Sequence, residues 1–178
     1  YNLGRMYQEG KGITKDDAEA AKWYLKSAEQ GHAEAPYHLA GMHKEGQGVP
    51  QDDAAAAKWY LNAAQQGNMD ACMIIGIMYK EGKGVPEDDA EAYKWLLKPA
   101  EQGIALAQLN LGDMYQDGAG VEQSDEEAVK WYQKAAEQGI AAAQYKMSVK
   151  YIYAEGVAQK YTEAVKWCRK AAEQGHLD

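Results

Sequence analysis

Five tryptophans in this chain are separated by identical intervals of 36 residues. They are Trp23, Trp59, Trp95, Trp131 and Trp167. A glycine follows each of them at a constant distance, at Gly31, Gly67, Gly103, Gly139 and Gly175. Self-similarity at a fixed period of this length is typical of repeat arrays, in which each unit packs mainly on its neighbours. The period therefore predicts one structural unit that occurs five times.

The most regular unit, residues 104–139, has the pattern of two helices. Apolar residues at helical spacing predict a first helix, helix A, through Ala107, Leu111, Met114 and Tyr115. The segment Gly118–Gly120 ends this helix because glycine adopts backbone angles that other residues avoid. Ser124 and Glu127 form a capping box, which predicts the start of a second helix, helix B. Gly139 is the expected left-handed stop of helix B.

The apolar face of helix B also follows helical spacing, at Ala128, Trp131, Tyr132, Ala135 and Ala136. The sequence thus predicts an all-α solenoid of five 36-residue helix-turn-helix repeats in a single array over residues 1–178. The expected units are 1–31 (partial), 32–67, 68–103, 104–139 and 140–175, followed by a stub at 176–178. Neither end shows a polar capping repeat, so we expect either a longer array or ends covered by partners or by copies of the chain.

Composition narrows the classes of partner. The net charge of −8 argues against nucleic acid and anionic membrane surfaces, since phosphate binding needs a basic surface. No apolar run reaches 18 residues, so no membrane insertion is expected. Cys72 and Cys168 lie at different places in the repeat, and we expect two thiols rather than a disulfide. The sequence does not distinguish a cytoplasmic from an exported protein.

The repeated residues resemble a known family. The segments Leu111-Gly112-x-x-Tyr115-x-x-Gly118-x-Gly120 and Ala128-x-x-Trp131-Tyr132-x-x-Ala135-Ala136-x-x-Gly139 are similar to the Sel-one-like repeat, a relative of the tetratricopeptide repeat. The resemblance covers the whole chain. It implies a right-handed superhelix in which helix A lines the concave face. Known members, often bacterial and often exported, are adaptors that assemble protein complexes.

Several units depart from the family pattern. Ala40 and His43 replace the usual glycine and tyrosine in the second unit, and we expect His43 to stand in for the core tyrosine. In the last unit, Ser148, Ala154 and Tyr161 stand where Gly, Gly and Asp recur. The chain also lacks the paired cysteines of the cysteine-rich members. This difference weakens any transfer of the β-lactam-related activity attributed to those members.

No pattern in the sequence indicates catalysis or a cofactor. The acidic loops, such as Pro86–Asp89, lack the alternating ligands of a calcium loop, and helix capping accounts for their carboxylates. The histidines, at His32, His38, His43 and His176, do not have the spacing of a zinc site. No nucleophile is paired with a base. We therefore expect a protein that is not an enzyme and that has no catalytic, metal or cofactor site.

The interleaved charges of helix B predict a solvated surface. Lysines recur at Lys22, Lys94, Lys130 and Lys166, and a glutamate precedes each by three residues, at Glu19, Glu91, Glu127 and Glu163. This spacing favours ion pairs along one helix face. We therefore predict a solvated outer face rather than a basic stripe for an acidic partner.

Recognition is expected where the repeats differ from one another. If helix A lines the concave face, the candidate peptide-binding residues are Tyr37, His38, Lys44, Met73, Ile74, Ile77, Lys80, Asn110, Asp113 and Tyr145. The middle unit is distinctive because Met73, Ile74 and Ile77 are apolar together, and we expect this patch to be the centre of the site. The competing interpretation is that the two isoleucines improve core packing.

The expected function is an interaction scaffold that binds a peptide or protein segment. Two alternatives remain: a cell-wall-related hydrolase or binding protein like the cysteine-rich relatives, and a structural spacer that self-associates through its uncapped ends. One local irregularity is also predicted. Pro99 lies inside the helix B of unit 68–103, where a proline removes a hydrogen bond, so we expect a kink or an early end near residues 95–99.

Overall fold

The computed structural model describes residues 1–175, and all regular structure in this part of the chain is helical. The first helices of the repeats are α1 (Asn2–Glu9), α3 (Ala35–Glu45), α5 (Met69–Glu81), α7 (Ala105–Asp117) and α9 (Ala141–Tyr153). The second helices are α2 (Asp17–Glu29), α4 (Asp53–Gln65), α6 (Asp89–Glu101), α8 (Asp125–Glu137) and α10 (Tyr161–Ala172). The predicted stub at 176–178 lies outside the described residues. Helix A and helix B alternate as the periodicity predicted.

The chain forms two compact units, Tyr1–Asp88 and Asp89–Asp178. In the first unit, α1 to α5 pack in chain order, each on the next helix. In the second unit, α6 to α10 do the same. Packing between helices adjacent in sequence is the pattern of an α-solenoid. The predicted all-α repeat solenoid is therefore confirmed.

Side-chain caps begin the B helices where the sequence has a cap residue. Ser124 Oγ accepts a hydrogen bond from the Glu127 amide at 3.2 Å, as the capping box predicted. Asp52 caps α4 through the amides of Ala54 and Ala55, although no glutamate completes a box there. Lys160 provides no side-chain cap for α10. The acidic residues of these loops thus stabilise helix N-termini, where backbone amides would otherwise lack acceptors.

The loops between the paired helices depend on residues with positive φ. Helix α7 ends at Gly118, whose φ of 70° lies in the left-handed region. The second loop glycine, Gly120, allows close packing, because a Cβ there would lie 2.3 Å from the carbonyl oxygen of Asp89. In the last repeat, Ala154 takes the position of Gly118 and has a φ of 59°. Ala154 is the single non-glycine residue with positive φ among residues 1–175.

The tryptophan column is not the most deeply buried column of the core. Trp131 and Trp167 are buried, but the other three tryptophans are partly exposed. The residue that follows each tryptophan is buried deeper in four repeats, at Tyr24, Tyr60, Leu96 and Tyr132. Lysine side chains cover several indole rings, and Lys134 Nζ lies 3.9 Å from the ring centroid of Trp131. The tryptophans therefore lie at the edge of the core rather than at its centre.

The prediction that Pro99 ends its helix early is wrong. Helix α6 continues to Glu101 and has the same 13 residues as α4 and α8. Pro99 lies in the last turn, so few hydrogen bonds remain to be disturbed, and the Ile104 amide still closes the helix end on the Pro99 carbonyl at 3.0 Å. The ring is fully buried at a position that Ala135 occupies in α8. Burial of the ring offsets part of the cost of the proline.

Candidate functional site

A cavity on the helix-A surface of unit Tyr1–Asp88 contains three of the predicted site residues. Its volume is about 220 Å³. Apolar side chains from α5 line one part of it, namely Ile74, Ile77 and Met78. Charged side chains from α3, α4, the end of α5 and the loop after it line the rest, namely Lys44, Asp53, Glu81 and Lys83. The cavity therefore combines an apolar surface with charges of both signs.

The register of α5 explains why the isoleucines reach this surface. Asn68 caps the helix through the Ala71 amide at 2.8 Å, and the core face of α5 contains Ile75 and Gly76. Ile74 and Ile77 flank that face and remain partly exposed. Met73 and Lys80 are also partly exposed but do not line the cavity. The apolar patch thus lies beside the core rather than inside it.

Tyr37 and His38 belong to an aromatic cluster in the same unit. The imidazole of His38 stacks on Tyr24 at 5.1 Å between ring centroids, and its Nε2 lies 3.1 Å from the Tyr1 hydroxyl. Tyr37 meets Tyr60 edge to face at 5.8 Å. Burial lowers the pKa of His38 and raises the pKa of Tyr37. Both candidate residues are therefore held by packing, separately from the cavity.

In unit Asp89–Asp178, the candidate Asp113 takes part in a polar network. Its carboxylate accepts a hydrogen bond from the Tyr132 hydroxyl at 2.8 Å and pairs with Lys146 Nζ at 3.1 Å. Burial, together with the charge of Asp113, raises the pKa of Tyr132. Asn110 donates to the Leu106 carbonyl within α7, and Tyr145 is exposed. The network gives Asp113 a structural role in satisfying a buried phenol.

Two buried glutamines were missed by the sequence analysis. Gln108 donates to the Ala100 carbonyl at 3.0 Å, and Gln144 donates to the Ala136 carbonyl at 3.1 Å. Each also accepts from a second glutamine, Gln138 or Gln174 respectively. These bonds satisfy polar groups at the junction between one helix B and the next helix A. The signal was available, because glutamine recurs at one repeat position.

Lys150 was also missed. It is 2% exposed and occupies the position of the buried Met42, Met78 and Met114. Its Nζ contacts Asp125 Oδ1 at 2.7 Å and Glu155 Oε2 at 3.0 Å. Burial alone lowers the pKa of Lys150, but the hydrogen bonds to the two carboxylates outweigh it and raise the pKa. The replacement of a repeated methionine by lysine was the signal in the sequence.

The predicted ion pairs on helix B are confirmed. Lys94 pairs with Glu91 at 2.9 Å, and the corresponding lysines of α2, α8 and α10 pair with the glutamate three residues earlier. The four lysine side chains are more than half exposed. Exposed pairs of this kind contribute little to stability. This surface is solvated rather than a distinct basic site.

Residues 1–175 provide no grouping of three or more histidine, cysteine, aspartate or glutamate side chains that could hold a metal ion. Within the same residues, no helix has the length and apolar character needed to cross a membrane. Neither Cys72 nor Cys168 takes part in a disulfide.

Comparison with known proteins places this geometry in a family. The Sel1 repeat profile matches residues 1–32, 33–68, 70–104, 105–140 and 141–176. The crystal structure of c5321, a protective antigen of uropathogenic Escherichia coli with an SLR fold, is 39% identical, with a TM-score of 0.91. It aligns with 98% of this chain, which spans only 38% of the length of that protein.

A Sel1 repeat protein from Oxalobacter formigenes is 34% identical, also with a TM-score of 0.91, over 99% of this chain and 72% of its own. The immunity protein Pa5087 from Pseudomonas aeruginosa shares the fold at 24% identity, with a TM-score of 0.55 over 98% of this chain and 67% of its own. Among curated proteins, none matches the chain significantly. Since five consecutive repeats match the profile, the chain belongs to the Sel1 repeat family.

Proposed function

We propose that this chain is a non-enzymatic scaffold that binds a peptide or protein segment on its helix-A surface. Sel1 repeat proteins are generally scaffolds for protein interaction, and the family is typically not enzymatic. The observation that carries the proposal is the partly exposed apolar pair Ile74 and Ile77, which lines a cavity next to charged side chains. A surface of this kind suits an apolar anchor residue of a bound segment.

The repeats themselves support a recognition role for this pair. The residues at the position of Ile77 in the other units are Arg5, Gly41, Asp113 and Val149, so packing does not require isoleucine there. Those at the position of Ile74 are Asn2, His38, Asn110 and Lys146. Adjacent core positions vary less: Ile75 corresponds to Leu39 and Leu111. Apolar residues at both of these positions together therefore occur only in the middle repeat.

The charges around the cavity set the chemistry of the expected ligand. Lys83 and Glu81 lie 3.9 Å apart and are both exposed, so they partly compensate each other. Lys44 and Asp53 add one further charge of each sign. We therefore expect an extended or helical segment anchored by an aliphatic or aromatic side chain, without a strong preference for acidic or basic sequences.

The test is a selection of binding peptides from a random library of 16-residue peptides displayed on phage, with the full chain immobilised. Selected peptides would then be measured by isothermal titration against the wild type and the double variant Ile74→Asn/Ile77→Asp. This variant gives the middle repeat the residues Asn110 and Asp113 of the following repeat, so the fold is expected to tolerate it. We expect the affinity to fall at least tenfold because the anchor loses its apolar contact.

The matched control is Leu106→Asp, which removes an exposed leucine from another first helix and introduces the residue found at Asp70. Circular dichroism would check that each variant is folded. Equal affinity of the wild type and the double variant, or an equal loss in Leu106→Asp, would exclude the cavity as the centre of binding.

A second candidate function, self-association, has its own support. The last repeat exposes Tyr161, Val165 and Tyr153, each by more than half, and a cavity of about 370 Å³ lies between α9 and α10. Its lining is almost entirely apolar, apart from Arg169. An apolar surface of this kind suits contact with a second copy of the chain. The hydrolase alternative has no comparable observation in its favour.

A further inference from the structure

Three tyrosines occupy the same buried position of helix B, at Tyr24, Tyr60 and Tyr132. Each is at most 4% exposed, so its hydroxyl depends on nearby side chains for hydrogen bonds. The Tyr24 hydroxyl donates to Gln8 Oε1 at 2.7 Å. The Tyr132 hydroxyl donates to Asp113 Oδ1 at 2.8 Å and lies 3.2 Å from Gln116 Oε1. In both repeats, helix A of the same unit therefore supplies the acceptor.

Tyr60 lacks both acceptors. Its own helix A, α3, has Gly41 in the place of Asp113 and Lys44 in the place of Gln116. Glycine has no side chain, and a lysine ammonium donates hydrogen bonds but cannot accept them. The Tyr60 hydroxyl accordingly has no hydrogen-bond partner within residues 1–175. Because burial raises the pKa of Tyr60 to about 12, the hydroxyl keeps its proton at neutral pH and remains a donor.

The Tyr60 hydroxyl faces an open space next to Gly41. A Cβ on Gly41 would lie 3.7 Å from the hydroxyl oxygen and, apart from its chain neighbours and the local backbone of α3, would have no other atom within 4 Å. Gly41 is itself partly exposed. Among the described residues, the one fully buried side-chain polar atom without a partner is His43 Nδ1, so the Tyr60 hydroxyl is open to solvent. A group from outside the chain can therefore reach this donor.

The fourth repeat shows which group fits such a space. There the carboxylate of Asp113 contacts the Tyr132 hydroxyl at 2.8 Å and Lys146 Nζ at 3.1 Å. In the second repeat a cation is again available, because Lys44 follows Gly41 by three residues on the same face of α3 and forms no ion pair with a described residue. Hydrogen bonds to a carboxylate are stronger than those to a neutral acceptor. A carboxylate therefore suits this space better than a neutral group.

We propose that the space next to Gly41 binds the carboxylate of an aspartate or glutamate side chain on the segment that the helix-A surface recognises. The Tyr60 hydroxyl donates to one carboxylate oxygen, and Lys44 pairs with the other. Ile74, which lines the helix-A cavity together with Lys44, contacts the apolar anchor of the same segment. This inference rests on the proposed function. It adds one acidic side chain at a defined place to a segment whose overall charge the cavity does not select.

The probes are two blocked dipeptides, N-acetyl-leucyl-aspartyl amide and N-acetyl-leucyl-asparaginyl amide, titrated into the full chain labelled with ¹⁵N and with ¹³C methyl groups. The two have nearly the same shape, but only the first carries a charge, on its side chain. Saturable shifts are expected at the Gly41 amide and the Ile74 methyl groups, and the aspartyl probe should bind at least fivefold more tightly. Equal affinities, or no saturable shift at the Gly41 amide, overturn the proposal.

Three variants assign the preference for the aspartyl probe to the named groups. Lys44→Gln introduces the residue found at Gln116, which removes the cation and supplies an internal acceptor, so the preference should disappear. Gly41→Asp introduces the residue found at Asp113 and should also abolish the preference, because the chain's own carboxylate then fills the space. Tyr60→Phe should reduce the preference at least threefold. A folded variant of this set that keeps the full preference overturns the proposal.

Tyr24→Phe is the matched control, since it removes a hydroxyl whose hydrogen bond is already made within the chain. It should leave the preference for the aspartyl probe unchanged. Melting temperatures give a second measurement without any probe. Tyr24→Phe deprives Gln8 of its donor and should lower the melting temperature more than Tyr60→Phe, which removes a hydroxyl that has no partner. An equal loss in the two variants would mean that the Tyr60 hydroxyl is satisfied in the wild type, and would overturn the proposal.

Ile74→Ala separates this proposal from the proposed function. A preference for the aspartyl probe that persists while Ile74→Ala has no effect on either probe would support the carboxylate site and contradict the apolar anchor. Weaker binding of both probes to Ile74→Ala, without any preference in the wild type, would contradict the carboxylate site alone. A third probe, N-acetyl-asparaginyl-leucine, carries its carboxylate at the chain end. Equal binding of this probe at Gly41 would overturn the assignment to an acidic side chain.

Discussion

Ala154 is the residue whose backbone conformation fits its residue type least well in this chain. It adopts a left-handed conformation where Gly10, Gly46, Gly82 and Gly118 stand in the other repeats. For an L-residue with a Cβ this conformation costs roughly 1–2 kcal/mol, from which the greater entropy of an unfolded glycine must be subtracted. We expect Ala154→Gly to raise the free energy of unfolding by roughly 0.5–1 kcal/mol.

Chemical denaturation of the wild type and Ala154→Gly measures this difference. Gly118→Ala is the reciprocal control and should lower the free energy of unfolding by a similar amount or more, because its Cβ would also approach Gln123 at 3.2 Å. A loss of stability in Ala154→Gly would show that the alanine side chain makes favourable contacts that outweigh its backbone strain.

Tyr60 links stability to alkaline pH. Burial raises its pKa to about 12 from an ordinary value of 10.0, with Tyr37 and Glu45 adding to the effect. Because the folded state holds the phenol proton more tightly, this contribution is complete below pH 10 and is lost as the pH rises towards 12. We expect Tyr60→Phe to reduce the fall in unfolding free energy between pH 9 and 12 by roughly 2 kcal/mol.

Urea denaturation across that pH range tests the prediction, with the difference between wild type and variant removing the contribution of other groups. Tyr145→Phe, at an exposed tyrosine, is the control and should follow the wild type. Parallel curves for the wild type and Tyr60→Phe would contradict the assignment of this loss to the buried phenol.

For single residues, the sequence predicted which side chains are exposed better than it predicted which partners they contact. The exposure of Ile74 and Ile77 agrees with their variation between repeats. By contrast, the partners of Asp113 are Tyr132 on α8 and Lys146 on α9. Which side chains from different helices meet depends on their relative placement, and a repeat pattern alone does not give those distances. Lys150 is a third case. Its replacement of a repeated methionine is visible in the sequence, but its buried ion pairs could be identified only from the structure.

At the scale of helices, α6 tests how far packing overrides local preference. Pro99 has no amide to donate to the Trp95 carbonyl, yet the helix keeps its full length. We expect Pro99→Ala to stabilise the protein by about 1–2 kcal/mol, since the regained hydrogen bond and relieved ring clash exceed the lost apolar burial. Alanine already occupies this position as Ala63, Ala135 and Ala171.

Thermal and urea unfolding of Pro99→Ala measure the effect, and Ala135→Pro is the reverse substitution in α8. That control should cost about 3 kcal/mol or more, because the surroundings of Ala135 are packed for a smaller residue. A Pro99→Ala variant less stable than the wild type would mean that the buried ring contributes more than the missing hydrogen bond costs.

The contrast between α6 and α8 shows which helix features a sequence determines. The start of α8 was predicted because Ser124 and Glu127 are the first and last of four consecutive residues, and their hydrogen bond depends only on local geometry. The end of α6 was predicted wrongly because the compensation for Pro99 comes from the residues that bury it. Sequence rules therefore predict a helix end correctly when the contacts that determine it lie within the same segment of the chain.

At the scale of the molecule, the period of 36 residues predicted the fold because a solenoid is specified by contacts between neighbours in sequence. The same residues recur at each junction, so one correctly interpreted unit gives all five. Departures from the repeat do not follow from the period. They concentrate in the last unit, where Ile152, Tyr153 and Tyr161 replace residues that are polar in the other four units.

These three departures give the prediction for the whole molecule. Tyr161 is 61% exposed and lines the apolar cavity between α9 and α10, at the position of Asp17, Asp53, Asp89 and Asp125. Tyr161→Asp restores the repeat residue in the first turn of α10, where an acidic side chain also suits the helix dipole. The variant should therefore fold, while its surface becomes less apolar.

If copies of the chain associate through this surface, sedimentation velocity of the wild type should show a species larger than the monomer that increases with concentration. We expect Tyr161→Asp to weaken this association at least tenfold, because a carboxylate would have to be desolvated in the contact. Lys166→Gln, a charge change on the solvated side of the same helix, should leave the association unchanged. A wild type that stays monomeric at all concentrations would leave the apolar surface to a different partner.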